Sequence, residues 1–336
     1  MARSTITDVA LKADVSIKTV SRVLNGERAV KAETRERVQA AMAALDYSPS
    51  LSARSLAGAR AYLLALVWDN PSAEYVSDLQ RGAAARCRAS GRHLLAEPVD
   101  GEAPADAIAQ LVGAVKVDGF ILTPPVCDDL AVLDVLDGAA APYVRIAPAR
   151  DSHRSASVAM NDEAAAYAMT QRLLELGHRD IAFVKGHPGH GAAEQRHAGF
   201  LAAMRERGLD VGPERMPQGW FSFRSGAQAA EGLMALTPRP TAVFAANDDM
   251  ALGVIAAAAR LGVTAPDQLS VAGFDDTAMA RSVWPELSTV RQPVVEMAGA
   301  AADLLITGAA TPKEGPPPRR MLGFDIIMRG TTGPRA

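Results

Sequence analysis

Cysteine is scarce in this 336-residue chain: Cys87 and Cys127 stand far apart, without metal-type spacing. Two such thiols make no disulfide framework, and the chain is expected to be a cytoplasmic protein with both reduced. Aromatic residues make up only 5%, and Ala, Gly, Leu and Val dominate. That mixture suits helices packed on buried strands better than an all-β sandwich. No apolar run approaches the roughly 18 residues of a membrane span. The opening MARSTITDVALKADV carries no apolar stretch that would direct export, so no membrane partner is expected. There is no serine elbow, P-loop or G-x-G-x-x-G, which leaves a nucleotide-dependent enzyme without support. His187-x-x-His190 with His197 invites a metal reading, but Pro188 and Gly189 make the segment a turn and no Cys or carboxylate completes a set. No metal, cofactor or catalytic residue is expected.

What is present is globular, 49% apolar and 22% charged, and long enough for a small domain beside a large one. The net charge of −3 is unevenly spread. Residues 1–60 hold ten Lys/Arg against six Asp/Glu, a net of +4, and the remainder carries −7. A basic head on an acidic body suits a protein whose head alone meets a polyanion.

The head reads as three short helices. Ile6, Val9, Ala10 and Ala13 form one apolar stripe, with Thr5 as N-cap and Asp8 as its capping-box partner. Asp14-Val15-Ser16 interrupts, and Ser16 can cap a second helix. That helix buries Val20, Val23 and Leu24 and presents Lys18, Ser21, Arg22 and Asn25 on the opposite face; Asn25-Gly26 stops it. A third helix points Val38, Ala41, Met42 and Leu45 inward. This is the helix-turn-helix plan, whose second helix enters the major groove. Domain boundaries are placed at 1–47 for this head, 48–60 for a small, polar linker, and 61–336 for the rest.

From Leu63, short apolar runs alternate with helical stretches. Strands are expected at 63–68, 93–98, 118–123, 142–147, 180–186, 241–247 and 269–274, with a last one near 322–328. The repetition implies parallel sheets. The series falls into two similar doubly wound α/β lobes, one of about 61–159 with 291–319, the other of about 160–290 with 320–336. Ligands bind such sheets in the crevice beyond the carboxyl ends of the strands. Asn247 and Asp275 each end a strand run, and Asp276 is the expected cap of a helix beginning near Thr277.

TITDVALKADVSIKTVSRVLNG and VQAAMAALDYSP resemble the helix-turn-helix of the lactose-repressor (LacI/GalR) family, and ARSLAG (53–58) is similar to that family's hinge helix. LELGHRDIAFVKG, AANDDMALG, SVAGFDDT and PELSTVRQP are similar to its ligand domain, itself like periplasmic sugar-binding proteins. The resemblance spans essentially the whole chain. It implies a homodimer on double-stranded operator DNA, acting as a repressor of carbohydrate-utilisation genes that a sugar inducer releases. A purine-type corepressor that tightens binding is the alternative within the same architecture. A sugar-binding protein without a regulatory role is disfavoured by the basic head. The tail IIMRGTTGPRA lacks the leucine heptads of the family's tetramers.

Residue by residue, the resemblance sets Ile17, Lys18 and Arg22 against base edges, where Arg22 offers a fork to guanine O6 and N7. Ser16, Thr19, Ser21, Asn25 and Thr34 are read as phosphate contacts, which fix register. Thr5, Tyr47 and Ala53 complete the set, and Leu56 is the minor-groove wedge. Lys31 replaces the family's frequent small hydroxyl cap, putting side-chain capping of the third helix in doubt. In the effector pocket the resemblance sets Arg196, Asn247, Asp275 and Gln292 on ligand hydroxyls and Phe221 on the sugar ring, with Trp220 as the adjacent alternative. Asp69, Asn70, Tyr75, Thr123 and His190 complete the lining. Such a set suits a polyol, whose hydroxyls need paired donors and acceptors.

Overall fold

The computed structural model describes residues 4–24, 29–47, 61–99, 103–151 and 153–335. The helical head is one compact unit, and the α/β body from Leu64 is another.

In the head, α1 (Ile6–Ala13), α2 (Ile17–Leu24) and α3 (Ala32–Ala44) stand where the apolar spacing puts them. The Thr5 hydroxyl accepts from Asp8 N while the Asp8 carboxylate accepts from Thr5 N at 2.8 Å, the reciprocal capping box. Asp14 ends α1 in the left-handed region, and Ser16 Oγ accepts from Thr19 N at 3.1 Å to start α2. Lys31 gives α3 no side-chain cap. Val9, Ala10, Ala13, Val20, Val23, Val38 and Ala41 are buried together, with Ile6, Leu24, Met42, Leu45 and Tyr47 packed around them. So small a core depends on each member.

In the body, the first sheet runs β10-β5-β4-β3-β1-β2 and the second β11-β9-β8-β7-β6. The strands of the first are β1 (Leu63–Trp68), β2 (His93–Pro98), β3 (Gly119–Leu122), β4 (Tyr143–Ile146), β5 (Ala156–Met160) and β10 (Arg319–Leu322). The second contains β6 (Ile181–Val184), β7 (Ala242–Ala245), β8 (Ser270–Asp275), β9 (Ser288–Arg291) and β11 (Asp325–Ile327). The β1–β3, β3–β4, β4–β5 and β5–β10 pairings are parallel, as are β6–β7, β7–β8 and β8–β9, while β11 on β9 is antiparallel.

Three features depart from the sequence reading. Strand β5, ASVAM, was not expected, because two alanines and a serine in five residues make no apolar run. Residues 288–291, outside the expected strands, form β9, buried except at Arg291. The single last strand near 322–328 is two strands on different sheets, so β10 carries residues 319–322 in the first lobe and the chain returns to the second only after Leu322. The chain thus passes between the lobes after β5, after β9 and after β10.

The helices that frame the cleft are α4 (Ala73–Ala89), α5 (Pro104–Ala114), α6 (Leu130–Gly138), α7 (Asp162–Glu175), α8 (Gly191–Glu206), α9 (Phe223–Met234), α10 (Asp248–Arg260), α11 (Ala278–Ser282) and α12 (Val294–Thr307). Helices α9 and α10 touch backbone to backbone. A Cβ on Gly226 would lie 2.2 Å from Met250 O, and one on Gly253 2.1 Å from Phe223 O. That approach sets the start of α10 beside the loop before α9. Among the described residues no helix is long and apolar enough to cross a membrane.

Candidate DNA-reading helix and effector pocket

On α2, Ile17, Lys18 and Arg22 are exposed, Ile17 by 48%, while Val20 and Val23 face the core. Thr5 and Ser16 are exposed and Thr19, Ser21 and Thr34 half-buried. The Ser16 and Thr19 hydroxyls bond each other at 2.9 Å. Tyr47 packs on the helical core, and burial pushes its phenol above its ordinary value. Asn25, Ala53 and Leu56 lie outside the described residues.

In the body, eight of the ten expected effector residues line one cavity: Asn70, Tyr75, His190, Arg196, Phe221, Asn247, Asp275 and Gln292. All but Phe221 lie at, or within a few residues beyond, the carboxyl end of a strand, or on the helix that follows one, and Phe221 lies in the loop before α9. Asp69 instead faces an adjoining cavity. Thr123 is fully buried away from both, its hydroxyl donating to Val67 O at 3.4 Å; it supports the β1–β3 edge. Ser72, Pro124 and Asp162 also line the pocket, and the sequence reading did not include them.

Arg196 is the centre of the arrangement. Its guanidinium is buried, with Nε donating to Asp162 Oδ1 at 2.8 Å and Nη1 to Ala246 O at 2.7 Å. Asp275 Oδ1 lies 3.9 Å from Nη1, and the Phe274 ring lies 3.7 Å beneath the guanidinium carbon. Gln292 Nε2 donates to Asp275 Oδ1 at 2.5 Å. Burial pushes the carboxyls of Asp162 and Asp275 above the usual range, and Arg196 opposes this in both. The Tyr75 phenol is raised by burial, then by Asp275. Burial holds the His190 imidazole down at about 3, with His187 and Arg196 adding to it, so His190 is neutral near pH 7.

Phe221 closes the pocket from the second lobe. It is 5% exposed, against 47% for Trp220, so Phe221 supplies the pocket's flat face while Trp220 packs edge-on to His187 outside. His190 meets the Phe221 ring edge-on at 5.2 Å. Asn247 fixes this loop. Its Oδ1 caps α10 at Met250 N, 3.0 Å, and its Nδ2 donates to Phe221 O, 3.1 Å. Gly186 is required beneath the ring, since a Cβ there would come 2.3 Å from Phe221. Phe221, Asp275 and Ala147 all have positive φ (56°, 128° and 47°). Backbone strain of this kind collects at ligand sites, where the surrounding structure holds it. Asp276 does not cap the following helix. It pairs with Arg291 at 2.7 Å and Arg329 at 2.6 Å, and Thr277 stands at the N-cap without capping it, its hydroxyl donating instead to Asp248 Oδ2 at 3.1 Å. Asp248 accepts from Thr277 N and from the Thr289 hydroxyl, and burial raises its carboxyl to about 7. His197 stands apart from His187 and His190, stacked on Phe183 with Nε2 3.1 Å from Met216 Sδ.

The cavity is about 30 Å³, enough for a few waters and far below the roughly 300 Å³ at the small end of ligand sites. Arg196, Asp162, Asp275, Gln292 and Asn247 are bonded to one another or to the backbone, so a ring can occupy it only if the lobes part or Phe221 moves.

Comparison with known proteins fits both halves. Residues 5–50 match the model of bacterial regulatory proteins of the lacI family, and residues 170–332 match that of the periplasmic binding protein-like domain. The chain is 34% identical to the HTH-type transcriptional repressor PurR of Erwinia tasmaniensis, over 93% of this chain and 92% of that one. Among solved structures it is similar to the lac repressor dimer bound to operator and the anti-inducer ONPF, with TM-score 0.81, 28% identity, and 99% and 100% of the two chains covered. It is also similar to the complex of the transcriptional regulator CelR with cellobiose, with TM-score 0.74, 28% identity, and coverage of 98% and 100%. The helical head and the α/β body are thus matched together along nearly the whole length of its relatives: the chain belongs to the lacI family of bacterial regulatory proteins and is a DNA-binding transcriptional regulator.

Proposed function

We propose that this regulator is a cytoplasmic, homodimeric repressor of carbohydrate-utilisation genes, released from its operator by a sugar and carrying out no catalysis. The observation that carries the reading is the convergence of Arg196, Asp162, Asp275, Asn247 and Gln292 on one pocket with the flat face of Phe221. Hydroxyls need donors and acceptors together, and the pocket offers guanidinium, amide and carboxylate beside an aromatic face. The relative co-crystallised with cellobiose supports the sugar class.

In the head, Arg22 and Lys18 read guanine edges, and Ile17 presses on a thymine methyl. Ser16, Thr19, Ser21, Asn25 and Thr34 hold phosphates, with Thr5, Tyr47 and Ala53 beside them. Leu56 wedges into the central minor groove, and its replacement by Ala leaves only weak, salt-sensitive binding. In the pocket, a sugar ring breaks the Arg196–Asp162 and Gln292–Asp275 bonds and takes their place, which shifts the lobes between two arrangements.

A thermal-shift screen of the purified chain against monosaccharides, disaccharides, polyols and purines tests the effector class. A ligand at a hundredfold excess over its Kd stabilises by about 2.7 kcal/mol. A sugar hit that disappears in Asp275→Ala supports the reading, and hits confined to purines replace it with a corepressor.

A further inference from the structure

Beside the pocket lies a second cavity of about 360 Å³, roughly twelve times larger. The two share a wall. Asp69, Pro125, Ala149 and Gly189 line the larger cavity, while Asn70, Pro124, Ala147 and His190, their near neighbours in sequence, line the smaller. Both lobes contribute to the larger cavity, and at its wall they touch, because a Cβ on Gly191 would lie 1.9 Å from Ala149 Cβ. None of the three interlobe crossings lines it; those after β5 and β10 border a different cavity, around Met160, Asn161 and Met321. The large cavity therefore opens on the cleft side away from these two crossings.

Its charge is one-sided. Asp69, Asp128, Asp129 and Glu194 face it, with Arg150 as the cation. Asp129 is committed to capping α6 and Asp128 to the Ala149 and Arg150 amides. Asp69 and Glu194 are the carboxylates turned to the space itself. Inside, Asp162 and Asp275 face Arg196, and Asp128 lies 3.7 Å from Arg145, so Asp69 and Glu194 carry the uncompensated charge of the larger cavity. Neutral His190 between the two cavities adds no cation. An anion brought here meets like charges at short range in a partly desolvated cleft, where repulsion is strong.

We propose, building on the sugar reading above, that the effector is an uncharged glycoside of at least two rings. Its terminal ring inserts at Phe221 and its second ring lies in this acidic vestibule, which excludes sugar phosphates and uronic acids. Once the lobes part or Phe221 moves, the small pocket has room for one ring and no more, and the vestibule of about 360 Å³ is the adjoining space that a second ring would take. Free carboxylates accept from the hydroxyls of a neutral second ring, and these are strong hydrogen bonds.

Calorimetric titration of the full chain decides it. The probes are glucose, galactose, mannose and xylose, the neutral disaccharides built from them, glucose 6-phosphate and glucuronate. At least one disaccharide binds tenfold or more tighter than its own monosaccharides, and both anions bind at least tenfold weaker than glucose. In Glu194→Lys the disaccharide advantage shrinks severalfold, monosaccharide affinity holds, and the anions gain. If no disaccharide outbinds its constituent, or an anion binds as tightly as its neutral parent, the vestibule assignment is wrong although the sugar reading stands. If no sugar binds and a purine does, both fall.

Discussion

Arg22 and Arg196 carry the same guanidinium in opposite surroundings. Arg22 lies exposed on α2, on the face away from Val20 and Val23, whereas Arg196 is 5% exposed between Asp162, the Ala246 carbonyl and the Phe274 ring. In the head, the side chains proposed to read DNA stand exposed on the face of α2 turned from the core. In the pocket, Arg196, Asp275, Asn247 and Gln292, the groups that would hold an effector, also hold the structure through bonds to their neighbours. The head can change its DNA sequence by exchanging side chains, while the pocket cannot change its ligand without repacking.

The sharpest way to break that contrast is a pair of alanine substitutions. Arg196→Ala leaves the Asp162 carboxyl buried without its ion pair and should cost about 3–5 kcal/mol in urea unfolding. Arg22→Ala, at an exposed position, should cost no more than about 1 kcal/mol in unfolding, while costing about 1–3 kcal/mol of discrimination for its base pair in competition binding. Equal destabilisation by the two would erase the distinction.

Acid sharpens the pocket side. His190 stays neutral in the folded chain down to about pH 3 but takes up a proton near 6.5 when unfolded. Its contribution to stability is therefore present above pH 6.5 and lost as pH falls, by about 2 kcal/mol at pH 5. Asp162 and Asp275 work in the opposite sense, because their raised carboxyls favour the folded chain more as pH falls. The difference in Tm between the parent chain and His190→Asn, followed from pH 7 to pH 5, isolates the imidazole. A difference that does not vary with pH would contradict its buried, neutral state.

The smallest effect lies in the head. Lys31 occupies the N-cap of α3 without a side-chain bond, so Lys31→Ser should stabilise the head by about 0.5–1 kcal/mol, read as a rise in Tm. No rise would mean that the α3 amides find another partner.

The same contrast governs what the sequence makes legible. The head's three helices, its capping box and the uncapped start of α3 follow from spacing and from single residues such as Thr5, Asp8 and Lys31, because everything that matters there is local. The pocket is built from strand ends distant in sequence, and is only as visible as its strands. Apolar runs marked β7 and β8, so Asn247 and Asp275 were found at their tips. ASVAM is too small and polar to announce β5, and Asp162, just beyond its end, stayed hidden although it is the partner of Arg196. Thr123 was misplaced for the opposite reason: its strand is plain, but the pleat turns its hydroxyl to Val67. The left-handed backbone of Phe221 leaves no trace in composition, since it depends on Asn247 holding the Phe221 carbonyl and on the space above Gly186.

The central claim is that the pocket controls the head. It is tested most directly by selecting a duplex from a random pool with the full chain, then following its affinity as the best-binding neutral sugar is added. The account predicts that affinity falls, by the roughly 5- to 150-fold that 1–3 kcal/mol of coupling allows, and that Asp275→Asn still binds the duplex but no longer responds. Affinity unchanged at saturating sugar, or a response that persists in Asp275→Asn, would contradict it.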